Sequence, residues 1–133
     1  ENKDLYTHSI DLVNPNDLLD IEEYIPERKD ALKEKMLKEG MWTKPIIIDK
    51  DNNLVLDGHH RFNIAKEMGL SKIPAVIVDY DKIEIWSLKY SEKVNKDLII
   101  KKAKEGNIYP NKTVKHKFDF KIPSCKYTLE DLH

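Results

Sequence analysis

The residues Leu54-Val55-Leu56-Asp57-Gly58-His59-His60-Arg61-Phe62 pass from an apolar strand into a helix within a few positions. The helical pattern continues through Met68, and Gly69 suits its end. At the junction, Gly58 permits a positive φ or a close backbone approach. The helix start offers free N–H groups and a positive dipole end, and two histidines and an arginine add donors. This combination predicts an anion site, with phosphate as the anion that fits best.

Asp57 is unusual in a phosphate site, because a carboxylate repels phosphate unless a cation lies between them. It therefore indicates Mg²⁺ held through water, without a direct protein–metal bond, or a contact to a substrate ammonium or hydroxyl. The structural alternative is a plain capped helix, with Asp57 as the cap and Arg61 on the surface. Zinc is disfavoured, because the adjacent His59 and His60 point in different directions and no further ligand follows at the usual spacing.

Strands and helices alternate on both sides of this junction, which predicts an α+β domain with a small mixed sheet. The pattern places strands at 9–13, 45–48, 54–56, 75–78 and 83–86, a further strand around 118–120, and helices at 26–39, 62–68 and from the cap Ser91 toward Gly106. An apolar stripe of Leu32, Met36 and Leu37 is expected to bury the first of these helices. Without a linker or repeat, we expect one domain over residues 1–133.

Composition narrows the class of protein further. The 133 residues carry 23 basic and 24 acidic side chains, so general affinity for nucleic acid is not expected. The longest apolar runs fall short of the ~18–20 residues of a membrane span, and the polar start shows no signal peptide. The single Cys125 cannot form an intrachain disulfide and is expected to fill apolar space, which predicts a reducing, cytoplasmic setting. A chain rich in Lys, Glu and Ile without Gln suggests a thermophile.

The junction, with Pro45–Ile48 before it, resembles the ParB/sulfiredoxin superfamily. Within that superfamily, the His-His form followed by Ile73–Tyr80 is similar to free L-serine kinases. These enzymes phosphorylate serine to O-phospho-L-serine for cysteine biosynthesis, with ADP or ATP as donor. The resemblance, which covers roughly residues 10–118, implies such a kinase with Mg²⁺, and its archaeal members favour ADP. It also implies donor-phosphate binding by Gly58, His59, His60 and Arg61.

Two other branches of the superfamily fit less well. ParB-type proteins carry Gly-Glu-Arg-Arg at this place and add a helix-turn-helix DNA-binding domain. Sulfiredoxins carry Gly-Cys-His-Arg, whereas His59 stands at the cysteine position here and Cys125 lies far along the chain. The alternative that remains is a non-enzymatic ParB-like nucleotide-binding module acting through partners. Another small-molecule kinase or a nucleotidase on the same scaffold is a third option.

The resemblance further implies a catalytic glutamate in a Pro-His-Glu-like segment ahead of the first long helix. Alignment on Pro26-Glu27-Arg28 places Glu22 at that position, with Ile21 at the histidine and Asp20 at the proline. Because this match is imperfect, Glu23 stays the reserve candidate. Without the resemblance, both glutamates would be interpreted as solvated charges near a helix start.

Two further stretches resemble substrate-binding parts of serine kinases. Trp86 matches a tryptophan that packs over the serine pocket, and Tyr109–His116 resembles a Pro-Lys-Thr-Thr-Arg-His motif. The resemblance thus implies that residues 107–133 complete the substrate site and that serine is framed by Trp86, Thr113, Lys115 and His116. Lys115 in place of arginine loses the bidentate fork, and Val114 in place of threonine has no side-chain donor. The alternative for Trp86 is an aromatic side chain in the core or at its rim. The alternative for the C-terminal motif is a solvated basic run of Lys112, Lys115, Lys117 and Lys121. Trp42 and Thr43 fit either a pocket or the core.

Overall fold

The computed structural model describes residues 9–133, so the first part of the N-terminal segment lies outside the described residues. Three helices are present in this range: α1 (Pro26–Glu39), α2 (His59–Met68) and α3 (Lys96–Glu105). The strands are β1 (Asp11–Val13), β2 (Met41–Trp42), β3 (Ile46–Asp49), β4 (Val55–Asp57), β5 (Ile73–Val78), β6 (Glu84–Ser87), β7 (Val114–Lys117) and β8 (Tyr127–Thr128). Within residues 9–133, no helix is both long enough and apolar enough to cross a membrane.

The central sheet is small and mixed, as predicted. Its strand order is β1-β5-β3-β4, in which β3 and β5 run parallel and the other two pairings are antiparallel. Helix α2 makes the connection from β4 back to β5. Two further antiparallel pairs, β2 with β8 and β6 with β7, lie beside this sheet. The predicted α+β class is therefore confirmed.

Both faces of the central sheet are buried, which explains why its strands are continuous apolar runs. The sheet separates two hydrophobic cores, and alternate residues of β3 point into each. Ile46 and Ile48 pack with residues of α1 and α2, whereas Ile47 packs with residues of α3. The first core holds Phe62 of α2, and the second holds Ile99 of α3. The first turn of α2 follows directly on β4, a strand of this sheet.

Helix α1 has the predicted bounds, and two of the three residues of its predicted apolar stripe, Leu32 and Met36, pack in or against the core. It ends at Gly40, whose φ of 67° is left-handed. Met36 is buried, whereas the prediction for Leu37 is wrong, because its side chain is 53% exposed. Lys29 is buried instead. Its ammonium lies 2.5 Å from Glu67 of α2, so an ion pair supplies part of the α1–α2 contact.

Two predictions near the C-terminus are also wrong. Helix α3 starts at Lys96 and is capped by Asn95, whose side-chain oxygen accepts from the Leu98 N–H at 2.8 Å, so Ser91 is not the cap. The strand in this part of the chain is β7, Val114–Lys117, rather than 118–120, because the backbone of β7 pairs with β6. Phe118 instead stacks on the ring of His116 at the end of that strand, with 5.9 Å between the ring centroids.

Gly58 connects the junction to the central sheet. Its φ is 98°, a left-handed value, and a Cβ built on it would lie 2.7 Å from Cγ2 of Ile46 in β3. Only glycine combines that backbone angle with so close an approach. The packing of α2 against β3 therefore depends on the absence of a side chain at this position.

We predict that Gly58→Ala lowers the free energy of unfolding by about 2–4 kcal/mol, because left-handed strain and overpacking add. Gly69→Ala is the matched control: its φ of 69° is also left-handed, but nothing lies within 4 Å of the added Cβ. The control should lose only about 1–2 kcal/mol. Urea unfolding measures both, and equal losses would show that the contact with Ile46 is unimportant.

Candidate functional site

A cavity of about 420 Å³ opens at the start of α2, and we call it the α2 cavity. The four residues predicted to bind phosphate all line it. Its lining residues are Arg28, Leu32, Lys44, Pro45, Asp57, Gly58, His59, His60 and Arg61. Three arginine or lysine side chains face one carboxylate there, so the cavity is electropositive. This charge and the free N–H groups of the α2 first turn suit an oxyanion.

Sequence reasoning missed two of these cations. Arg28 comes from the first turn of α1, and Lys44 comes from the connection between β2 and β3. Both lie far from the junction in the chain. A basic side chain in the Pro26-Glu27-Arg28 match was the available signal for the first, and no local pattern marked the second.

Arg61 has an unfilled donor. Its Nε is buried and has no hydrogen-bond partner within residues 9–133. Burial lowers the pKa of Arg61, and the nearby Asp57 carboxylate opposes that change. Because a guanidinium nevertheless stays charged in proteins, Arg61 contributes a half-buried cation, with one N–H unpaired within the described residues, to the residues that line the cavity. An anionic ligand would supply what this group lacks.

His60 has a structural contact. Its Nε2 accepts the backbone N–H of Ile25, the residue before α1, at 3.1 Å. Burial lowers the pKa of His60, and the charges of Arg28 and His59 lower it further. The ring is therefore neutral, with its proton on Nδ1. His60 ties α1 to α2 and does not add a positive charge to the cavity.

A second cavity, of about 390 Å³, adjoins the first, and we call it the Glu22 cavity. Arg28, Asp57 and His59 line both cavities and form their shared wall. The other lining residues of the second cavity are Glu22, Leu56, Leu88, Lys112, Val114, Lys115, His116 and Phe118. The structure therefore brings the predicted base and part of the C-terminal motif to the junction.

The carboxylate of Glu22 is the best-anchored group of this cavity. Its Oε1 accepts the N–H of Lys112 at 2.9 Å, and its Oε2 accepts those of Thr113 at 3.1 Å and Val114 at 2.8 Å. Lys112 has a left-handed φ of 55°, which turns the chain so that three consecutive N–H groups meet one carboxylate. Glu22 is itself only 8% exposed.

Local packing explains why Glu22 points there. The preceding Ile21 is buried in the core. The backbone around it pairs with Tyr109, which donates to the Ile21 carbonyl at 3.0 Å and accepts from Glu23 N–H at 2.8 Å. The reserve candidate Glu23 is exposed and lines a different cavity, with Tyr24 on its wall. The geometry therefore brings Glu22, and not Glu23, to the junction.

The predicted substrate residues divide into two groups. Lys115 and His116 line the Glu22 cavity. Thr113 is fully buried, and its hydroxyl donates to the Pro110 carbonyl at 2.7 Å, so its side chain stabilises the loop. Trp86 pairs with Lys115 across β6 and β7 but is 44% exposed and lies outside the lining of both cavities.

His116 is neutral in this environment. Burial lowers its pKa to about 3, and the charges of His59, Lys96 and Lys115 act in the same direction. Its Nε2 lies 2.9 Å from the hydroxyl of Tyr80. Burial in turn raises the pKa of Tyr80, so the phenol stays protonated and shares a hydrogen bond with the neutral imidazole. His116 therefore contributes a fixed, uncharged ring to the lining of the Glu22 cavity.

The remaining sequence candidates belong to the core. Trp42 is fully buried, and its indole N–H donates to the Lys44 carbonyl at 2.6 Å. Cys125 packs against the same core, and burial raises the pKa of its thiol, as fits the apolar filler we expected. Among residues 9–133, no group of three or more His, Cys, Asp or Glu side chains could hold a metal ion.

Comparison with known sequences gives the family. The model of the ParB N-terminal domain matches residues 1–94. An ATP-dependent L-serine kinase from Staphylothermus marinus is 39% identical over 103 residues, which are 71% of this chain and 40% of that protein. The ADP-dependent L-serine kinase SerK from Thermococcus kodakarensis is 28% identical over 93 residues, or 64% of this chain and 38% of that protein. The chain thus spans about two fifths of the length of these curated relatives.

Solved structures agree on the fold. A free serine kinase in complex with AMP superposes with a TM-score of 0.85 over 95% of this chain and 94% of that one, at 14% identity. A conserved hypothetical protein from Pyrococcus furiosus gives a TM-score of 0.84 over 94% and 97% of the two chains, also at 14% identity. The predicted resemblance to serine kinases of the ParB/sulfiredoxin superfamily is confirmed. This chain belongs to the ParB N-terminal domain family.

Proposed function

We propose that this chain transfers a phosphoryl group from ADP or ATP to the hydroxyl of free L-serine, giving O-phospho-L-serine. One observation carries the proposal. The carboxylate of Glu22, which three backbone N–H groups hold in place (below, the clamp), lies in a cavity that shares lining residues with the electropositive α2 cavity. A phosphoryl donor suits one side of this shared wall, and a hydroxyl acceptor suits the other. The names of the curated relatives, which include both donors, agree with this assignment.

On the donor side, the nucleotide phosphates would occupy the α2 cavity. Arg28, Lys44 and Arg61 supply positive charge, and the α2 N–H groups supply directed donors. Phosphoryl transfer depends mainly on positioning and on neutralising the charge of the phosphoryl oxygens. These residues would do both, and the guanidinium of Arg61, whose Nε has no partner within residues 9–133, would bind one of the phosphate oxygens.

On the acceptor side, serine would occupy the Glu22 cavity. An ionised carboxylate has about four acceptor positions, and three are filled by backbone N–H groups, which leaves one for the serine hydroxyl. The serine oxygen bonds to phosphorus as the bridging P–O bond to the nucleotide breaks, and Glu22 receives the hydroxyl proton. Lys112 and Lys115 offer charge for the serine carboxylate.

Asp57 is suited to a magnesium ion. It is the one carboxylate in the lining of the α2 cavity, and Mg²⁺ is usually held by one or two carboxylates together with substrate phosphates. Asp57 would hold the ion through water, and the ion would neutralise charge on the donor phosphates. A module that only binds nucleotide would not need the carboxylate of Glu22, which the clamp holds in the adjoining cavity.

We predict that the protein with L-serine, Mg²⁺ and either ADP or ATP forms O-phosphoserine, which mass spectrometry detects. Product with ADP comes with AMP, and product with ATP comes with ADP, so the second product identifies the donor. D-Serine and L-homoserine are the control acceptors and should react more slowly. If neither nucleotide gives phosphoserine in folded protein, the ParB-like binding module becomes the better interpretation.

We predict that Glu22→Gln lowers the turnover of serine by about 10²–10⁴-fold, because the group that orients and deprotonates the hydroxyl is lost. The amide accepts on one side only and turns its NH₂ toward the N–H groups on the other, so the free energy of unfolding should fall by about 1–3 kcal/mol while the protein stays folded and nucleotide affinity changes little. Glu23→Gln removes the neighbouring exposed charge and should keep turnover within about twofold. Equal losses in the two variants would contradict the role of Glu22.

We predict that His116 makes the protein less stable in acid. Its folded pKa of about 3 lies below the unfolded value of about 6.5, so as the pH falls the unfolded chain takes up the proton first. Stability from this group is complete above about pH 6.5 and is lost progressively down to about pH 3.

The test compares wild type with His116→Gln, which keeps an acceptor for Tyr80 but does not titrate. Between pH 7 and pH 4.5 the free energy of unfolding of wild type should fall by about 2 kcal/mol more than that of the variant. Parallel urea-unfolding curves at the two pH values would show that the ring is already charged in the folded protein.

A further inference from the structure

Asp20 makes a contact that the resemblance does not assign. Its Oδ1 lies 2.9 Å from Nδ1 of His59, and both side chains are about 15% exposed. Asp20 stands where the serine kinase motif has a proline, so no role carries over to it. The backbone holds the segment in place: Leu19 N–H donates to the Asn53 carbonyl at 2.9 Å, and Val55 N–H donates to the Leu19 carbonyl at 2.8 Å.

Asn63 fixes the other end of this carboxylate. Its amide nitrogen donates to Oδ2 of Asp20 at 2.8 Å and to the backbone carbonyl of His59 at 2.8 Å. Asn63 follows His59 by one helical turn on α2, so the two residues share a face. Both oxygens of Asp20 are therefore committed to α2, and neither its position nor its rotation is free.

The contact determines the tautomer of His59. An ionised carboxylate only accepts hydrogen bonds, so the proton of a neutral His59 ring sits on Nδ1. Nε2 is then the ring nitrogen left for a ligand, and His59 lines both the α2 cavity and the Glu22 cavity. The ring therefore stands where a phosphoryl group would pass from one cavity to the other.

We propose that Asp20 is a positioning residue that holds His59 as the Nδ1–H ring, with Nε2 directed to the transferred phosphoryl group. This inference rests on the proposed serine kinase activity. When a phosphoryl group binds at the shared wall, Nε2 takes up a proton from solvent, and the doubly protonated ring donates from Nδ1 to Asp20 and from Nε2 to a phosphoryl oxygen. Asn63 supports this arrangement by keeping Asp20 from turning away.

The decisive variant is Asp20→Asn. Its amide has one acceptor oxygen but would face two donors, the Nδ1–H of His59 and the amide of Asn63. Asn63 is also held by the His59 carbonyl, so the imidazole is the group that must change. We expect its proton to move to Nε2, because the amide then donates to Nδ1. A ring that accepts at Nδ1 cannot take up a second proton, so it stays neutral where the wild-type ring beside Asp20 becomes a cation.

The experiment records ¹⁵N spectra of histidine-labelled protein, in which the two ring nitrogens of each neutral tautomer differ. Wild type should show His59 as Nδ1–H, and Asp20→Asn should show Nε2–H. Asp17→Asn is the matched control, because it makes the same change at an exposed site in the preceding turn. With serine as acceptor, Asp20→Asn should lower kcat by about 10–100-fold, while KM for serine changes by less than about threefold.

An unchanged Nδ1–H tautomer in Asp20→Asn would overturn the inference, as would a switched tautomer with unchanged kcat. A purely structural role would lower the melting temperature and leave the tautomer as in wild type, which also overturns it. If wild type makes no phosphoserine, the proposed function fails separately. The inference is then tested with inorganic phosphate, which should shift the Nε2 signal of His59 in wild type and Asp17→Asn but not in Asp20→Asn.

Discussion

The site depends on the hydrogen bonds between the carboxylate of Glu22 and three consecutive backbone N–H groups, those of Lys112, Thr113 and Val114. These bonds join segments that lie 90 residues apart in the chain. A buried carboxylate is costly without such partners, and three N–H groups in a loop are equally costly without an acceptor. Each group therefore fixes the other, and the C-terminal segment becomes a wall of the site because Glu22 is there.

The junction before α2 supplies the other half of the site. Gly58 lets the backbone pass against Ile46, and this contact sets where the first turn of α2 opens. Arg28 reaches the same place from α1, because His60 and the ion pair of Lys29 hold the two helices together. The result is an electropositive cavity and a carboxylate-bearing cavity that share Arg28, Asp57 and His59, and the proposed function assigns the phosphoryl donor to the first and the acceptor to the second.

Part of the fold and of the α2 cavity could be predicted from the sequence, because it depends on residues that are neighbours in the chain. The junction, the stop at Gly40 and the buried strands follow from glycine angles and apolar periodicity, which depend on near neighbours in the sequence. Glu22 could be selected only through a resemblance to a family. The contact between Asp20 and His59 depends on packing between segments that are distant in the chain, and so does the position of Arg28. The periodicity of apolar residues carries no information about such contacts. The burial of Lys29, with the predicted Leu37 exposed, has the same origin, because the ion-pair partner of Lys29 is on another helix.

Amide hydrogen exchange tests the central claim most directly, since it observes the clamp itself and needs neither substrate nor turnover. The N–H groups of Lys112, Thr113 and Val114 should exchange slowly in wild type, and at least about tenfold faster in Glu22→Ala, because their acceptor is gone. Exchange in the middle of α2 should be the same in both proteins. Equal exchange at the three clamp amides in wild type and variant would contradict the account.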